Sequence, residues 1–216
     1  MPDLGCTATV GKAVAFFLMT LALGPAGAPS QAQAQAQANS AAQPSAGAAA
    51  PPAQLAVCGA CHGANGNSAM ALSPSLAGQP KVFLENTLIL IREGLRPIAV
   101  MQGLLNGVSD ADIVALADHY SRQKAIAPEA PRDEAAFRRG EAVASRALCG
   151  TCHLPNYAGQ QQMPRLAAQR EDYLVHSMRE FRDNKAQGRD TMMNGVLRGF
   201  SDRDIADMAH YFAQLR

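Results

Sequence analysis

From about residue 54 onward, apolar and polar positions follow a helical period. Ile113, Leu116, Ala117 and Tyr120 recur at spacings of three and four, and Ile205, Met208, Ala209 and Phe212 do the same near the C-terminus. Each run follows a serine, Ser109 or Ser201, with aspartates just behind it. A serine hydroxyl can take up a free amide at a helix start, and acidic residues in the first turn complement the helix dipole. The same patterning predicts a middle helix over about 82–92 and a counterpart over about 171–185. A further helix is expected over 133–148, and a shorter leading helix starts near Ala53. Neither half has a strand-rich pattern, so the expected fold class is all-α.

The two halves are copies of one unit. Pro74-Ser75-Leu76-Ala77-Gly78-Gln79 matches Pro164-Arg165-Leu166-Ala167-Ala168-Gln169, and Phe83-Leu84 matches Tyr173-Leu174. Met101-Gln102-Gly103-Leu104-Leu105 matches Met193-Asn194-Gly195-Val196-Leu197, and the capping segments at Ser109 and Ser201 align as well. A period of about 91 residues marks a duplicated domain rather than a solenoid of short repeats. Pro128 and Pro131 punctuate the join, which divides the chain into domains at 54–127 and 128–216. Units this small have marginal cores of their own, so a large apolar group held inside would supply much of the missing interior.

The first 53 residues read differently. Lys12 precedes an apolar run, Ala13 to Leu23, that ends at Gly24-Pro25. That is the layout of a secretory signal peptide over 1–28, too short for a membrane span of about 20 apolar residues. Small-residue cleavage positions occur at Ala26–Ala28 and again along the Ala/Gln repeat; an uncleaved anchor is the alternative. Cys6 lies before the apolar run and leaves with the leader. Residues 29–53 carry no charge and no large apolar side chain, and are expected to form a disordered linker.

The chemistry is concentrated in one pentapeptide. Cys58-Gly59-Ala60-Cys61-His62 recurs 91 residues later as Cys149-Gly150-Thr151-Cys152-His153. C-x-x-C-H is the attachment sequence of c-type haem: Cys58 and Cys61, or Cys149 and Cys152, hold the porphyrin, and His62 or His153 lies under the iron. A zinc ribbon would bring its cysteine pairs much closer together, and a thioredoxin-like pair would need a βαβ setting. A local disulfide would leave the following histidine unexplained twice. The expected cofactors are two covalently bound haem c groups. Charge is balanced in both halves, five basic against five acidic over 53–127 and thirteen against twelve over 128–216, so nothing points to nucleic acid.

A second strong axial ligand separates an electron carrier from an open, reactive haem. Met101 lies 39 residues after His62, Met193 lies 40 after His153, and each precedes its capping serine by eight. That common frame selects Met101 and Met193, with Met192 a rival to its neighbour. Met70 and Met163 sit too near their histidines, Met178 and Met208 keep core spacing, and His119, His176 and His210 do not correspond between halves. Pro74 and Pro164 follow their histidines by twelve and eleven residues, where a backbone carbonyl can accept the imidazole Nδ1–H. Arg96 and Arg189 are candidates for hydrogen bonds to haem propionates.

These motifs, CGACHGANGNS, PSLAGQ, MQGLL and SDADIVALADHY in the first half and CGTCH, PRLAAQ and MMNGVLRGFSDRDIADMAHYFAQL in the second, resemble the cytochrome c4 family of dihaem class I cytochromes c. The resemblance spans nearly all of 54–216. It implies two tandem cytochrome c-type haem domains with His/Met coordination, His62 with Met101 and His153 with Met193. It also implies a periplasmic electron carrier with no catalysis of its own. Its redox partners would be a quinol–cytochrome c reductase, a terminal oxidase or a dehydrogenase, with at most a loose membrane association. Similar dihaem cytochromes also serve as subunits of dehydrogenases such as the sulfide-oxidising flavocytochrome type. A dihaem enzyme is the remaining alternative; it would need an iron without the matched methionine.

The mass of the purified protein tests the sequence reading. Two haem additions and the loss of Cys6 with the leader are expected; a mass with one haem or none contradicts it.

Overall fold

The computed structural model describes residues 53–216, all within one compact unit, Ala48–Arg216. The predicted leader over 1–28 with Cys6, and all of the predicted linker except its last residue, lie outside the described residues. The first half contains α1 (Leu55–His62), α2 (Lys81–Arg92), a 3₁₀ turn (Ala99–Met101) and α3 (Asp110–Ser121). The second contains α4 (Glu134–Arg146), α5 (Cys149–His153), α6 (Glu171–Arg182), α7 (Met192–Leu197) and α8 (Asp202–Gln214). Among the described residues there is no strand, only an isolated bridge between Gln160 and Met163.

The capping serines do what their position requires. Ser109 Oγ accepts from the Asp112 amide at 3.1 Å, and the Asp112 carboxylate accepts from the Ser109 amide at 3.2 Å. Ser201 and Asp204 repeat this reciprocal arrangement at 3.1 and 3.0 Å. Each box satisfies two amides that the first helical turn would otherwise leave free. Behind the caps, Ile113, Leu116, Ala117 and Tyr120 are buried on α3, and Ile205, Met208, Ala209 and Phe212 on α8. These residues seed two separate cores. One gathers Leu84, Leu105 and Val108 around α3; the other gathers Val143, Leu174, Met178 and Leu197 around α8.

The duplication extends to backbone turns. Gly66 and Tyr157 both have positive φ, 77° and 55°, and each carbonyl accepts two amides, from Leu76 and Ala77 or from Leu166 and Ala167. Gly78 and Ala168 are likewise left-handed, and their amides donate to the carbonyls of Tyr120 and Phe212 on the terminal helix of each half. The loop carrying Pro74 or Pro164 is thus hung on the terminal helix at equivalent points.

The halves differ where the sequence pattern was least specific. The helix expected over 133–148 stops at Arg146, because Leu148 turns left-handed (φ 55°) and starts the next helix at a new angle. In the first half no such break occurs, and α1 runs straight into the motif. The helix expected to reach 185 stops at Arg182, with Asn184 at φ 57°. The connection between halves is pinned: Asn67 Oδ1 accepts from the Ile126 amide at 2.8 Å, and His210 Nε2 accepts from the Asp133 amide at 3.0 Å.

In the second half α4 crosses α8 at very close range. Gly140 is the contact point: a Cβ there would lie 2.7 Å from the Tyr211 Cβ and would strike the Asp207 carbonyl. Arg139 flanks this crossing with a two-pronged pair to Asp207, 2.7 and 2.8 Å. Gly140→Ala is therefore expected to destabilise the holoprotein by about 1–3 kcal/mol through overpacking. Thermal unfolding measured by circular dichroism checks this; an unchanged midpoint would show that the helices can separate freely.

Candidate functional site

Helix geometry puts the three chemical groups of each motif on one side. Residues three and four apart on a helix are neighbours, so Cys58, Cys61 and His62 share a face of α1, as Cys149, Cys152 and His153 do on α5. Cys61 and Cys152 are exposed, Cys58 and Cys149 half-buried, and among the described residues no disulfide joins any of the four. Burial raises the Cys58 thiol above its ordinary range and pushes Cys149 up to about 11. A thiol–disulfide catalyst needs the opposite shift, towards thiolate at neutral pH.

The two histidines are the best-defined groups of the site. Both are buried. His62 Nδ1–H donates to the Pro74 carbonyl at 2.8 Å, and His153 Nδ1–H donates to the Pro164 carbonyl at the same distance. A carbonyl can only accept, so the hydrogen sits on Nδ1 and Nε2 carries the lone pair. His153 Nε2 is buried and has no hydrogen-bond partner among the described residues. Burial pulls both imidazoles towards the neutral form, partly opposed by the proline carbonyls. A neutral imidazole with one nitrogen oriented by a carbonyl and the other left free in an apolar setting has the form of a metal ligand.

Met101 ends the 3₁₀ turn and packs, half-buried, against the core that also receives Cys58. Met193 lies in the first turn of α7 and packs against the core that receives Cys149. Met192 is 66% exposed, so the two adjacent methionines face different environments. Met178 and Met208 are core residues. His210 has both ring nitrogens engaged, Nδ1 with Glu171 and Nε2 with the Asp133 amide.

Arg96 and Arg189 come near each other where Gly188 packs against the backbone of Leu95 and Arg96. Arg96 reaches Thr87 Oγ1 at 3.4 Å; Arg189 donates to Ser177 Oγ at 2.7 Å and lies over the Phe181 ring. Burial, reinforced by the positive charge of Arg96, lowers the Arg189 pKa. Neither forms an ion pair among the described residues.

Four residues of the paired loops make contacts that spacing alone does not reveal. Gln79 and Gln169, each almost fully buried, bond to the main chain of the opposite half. Ser75 and Arg165 supply those main-chain groups. Arg165 also donates through its guanidinium to the carbonyls of Ala77 and Ala167, and burial lowers its pKa to about 10. The recurrence of Gln at the end of both PSLAGQ and PRLAAQ was the available signal. Nothing in it, however, said that each glutamine reaches across.

Each half therefore offers two thiols, a neutral imidazole nitrogen and a thioether around one apolar core, the donor set of a covalent haem c. A family model described as Cytochrome c matches residues 137–216. Cytochrome c4 of Pseudomonas aeruginosa is 34% identical over 177 residues, covering 78% of this chain and 88% of its own length. A thiosulfate dehydrogenase electron acceptor of Thiomonas intermedia is 33% identical over 183 residues, covering 80% of this chain and 84% of its own. The crystal structure of reduced recombinant cytochrome c4 from Pseudomonas stutzeri superposes with a TM-score of 0.70 at 32% identity, covering 76% of this chain and 95% of that one. Motif, fold and relatives agree, and the chain belongs to the cytochrome c4 family: an all-α, dihaem electron-transfer cytochrome that carries two covalently bound haem c groups and moves electrons between protein partners.

Proposed function

We propose that residues 54–127 and 128–216 each hold one haem in a six-coordinate state. Cys58 and Cys61 anchor the first, with His62 and Met101 as axial ligands. Cys149 and Cys152 anchor the second, with His153 and Met193. The observation that carries this reading is the pair of Nδ1–H to proline-carbonyl bonds, with His153 Nε2 left buried and without a partner among the described residues. Haem iron supplies a one-electron centre, and a thioether ligand favours its ferrous form. The chain's own part is to fix the imidazole through Pro74 or Pro164, exclude water with the two cores and keep structural change on transfer small. Arg96 and Arg189, without carboxylate partners among the described residues, are suited to haem propionates.

The protein acts in the periplasm, exported by the leader over 1–28, and the linker over 29–53 precedes the first haem domain. No helix among the described residues is long and apolar enough to cross a membrane. Electrons arrive from a quinol–cytochrome c reductase or a dehydrogenase and leave towards a terminal oxidase. A dehydrogenase as donor has a specific support: the Thiomonas intermedia relative is named as an electron acceptor of thiosulfate dehydrogenase.

Replacing Met101 or Met193 by Ala is expected to abolish the sulfur-to-ferric-iron absorption of that haem, lower its potential and open its iron to carbon monoxide. Met192→Ala leaves all three unchanged, because that side chain is directed outward. Carbon monoxide binding by the unaltered ferrous protein, or opening by Met192→Ala alone, would overturn the ligand assignment.

A further inference from the structure

The peptide unit that orients each histidine has two ends. At one end the Pro74 carbonyl accepts from His62 Nδ1–H; at the other the Ser75 amide of the same peptide donates to Gln169 Oε1 at 2.7 Å. In the second half the Pro164 carbonyl accepts from His153 Nδ1–H, and the Arg165 amide of that peptide donates to Gln79 Oε1 at 2.9 Å. Each glutamine then closes a ring: Gln169 Nε2 donates to the Ser75 carbonyl at 2.9 Å, and Gln79 Nε2 donates to the Arg165 carbonyl at 3.0 Å. Ser75, Gln79, Arg165 and Gln169 are all at most 5% exposed, so water does not compete for these groups. The ends of one amide are electronically coupled. Drawing on its N–H makes its carbonyl oxygen a stronger acceptor, and linked hydrogen bonds in a low-dielectric interior reinforce one another. A stronger acceptor at Nδ1–H makes the imidazole a more basic ligand.

We propose that Gln79 and Gln169 are positioning residues that set the haem potentials crosswise: Gln79 of the first half acts on the haem of His153, and Gln169 of the second half acts on the haem of His62. The packing of the halves thereby becomes part of the redox chemistry of each iron. A half without its neighbour would keep its ligands and lose the pull on its histidine peptide. The direction follows from the chemistry. A more basic imidazole favours ferric iron, so each glutamine lowers the potential of the opposite haem. The inference rests on His62 and His153 being the iron ligands.

The test is a spectroelectrochemical titration of the dihaem protein, with the two haems distinguished by nuclear magnetic resonance. Gln79→Met is expected to raise the potential of the His153 haem, increasing its ferrous-to-ferric ratio at fixed electrode potential about two- to fivefold. At about 59 mV per tenfold for one electron, that is roughly 20–40 mV. The His62 haem shifts much less. Gln169→Met gives the reverse pattern. In the ferrous protein the Nδ1–H resonance of the opposite histidine should move in step. A shift confined to the haem of the mutated half, an equal shift of both, or none would overturn the proposal. Gln79→Glu and Gln169→Glu keep the acceptor and guard against poor folding of the Met variants. Each is expected to lower the potential of the opposite haem selectively, and an unselective change again counts against it. The ligand reading has its own readout: strongly ring-current-shifted imidazole resonances of His62 and His153 in the unaltered ferrous protein, which do not depend on either glutamine.

Discussion

Two imidazole hydrogens, each held at 2.8 Å by a proline carbonyl, set the terms for the rest of this molecule. A histidine next to a C-x-x-C pair can face iron productively only if its ring is fixed and its hydrogen is on Nδ1. A carbonyl at the right place does both. That carbonyl must itself be held, and the loop bearing it is hung on the terminal helix of its half through the Gly78 or Ala168 amide. The terminal helix is in turn held by its capping serine and by the core behind it. Caps, core, loop and histidine form one mechanical chain, made twice.

The two chains meet at the loops. Gln79 and Gln169 exchange main-chain bonds in a nearly symmetric pattern, and Arg170 adds a bond to the Ser68 carbonyl at 3.2 Å. Burying the two glutamine amides stabilises the contact because the oxygen and nitrogen of each are paired; half-paired amides would cost more than an apolar surface. Arg165 breaks the symmetry. Where the first half has Ser75, the second buries a guanidinium that donates to the carbonyl dipoles of Ala77 and Ala167 and has no carboxylate partner among the described residues.

Much of this was legible in the sequence, for reasons that can be named. Ser109 and Ser201 stood before periodic apolar runs, so both terminal helices and their inward faces followed from local chemistry. The duplication made each half a check on the other, which is how Met101 and Met193 were separated from the remaining methionines. Between adjacent Met192 and Met193 the repeat frame favours Met193, and the exposure of Met192, 66%, accords with that choice. Helix ends at Arg146 and Arg182 escaped for different reasons: nothing local announces left-handed Leu148, whereas Asn184 is a local left-handed cap, the Asn184 and Lys185 amides closing back on the Phe181 and Glu180 carbonyls, that the apolar period alone does not register. The crossing glutamines escaped for a deeper reason: a one-dimensional repeat reveals that two residues are equivalent, not that each serves its neighbour.

The central claim is that both irons are held by one histidine and one methionine and keep those ligands through the redox cycle. Iron K-edge X-ray absorption on the purified dihaem protein, recorded fully oxidised and fully reduced, tests it most directly. The expected result is one sulfur and five nitrogens per iron in both states. An average below one sulfur per iron, or a coordination number that changes on reduction, would contradict the account.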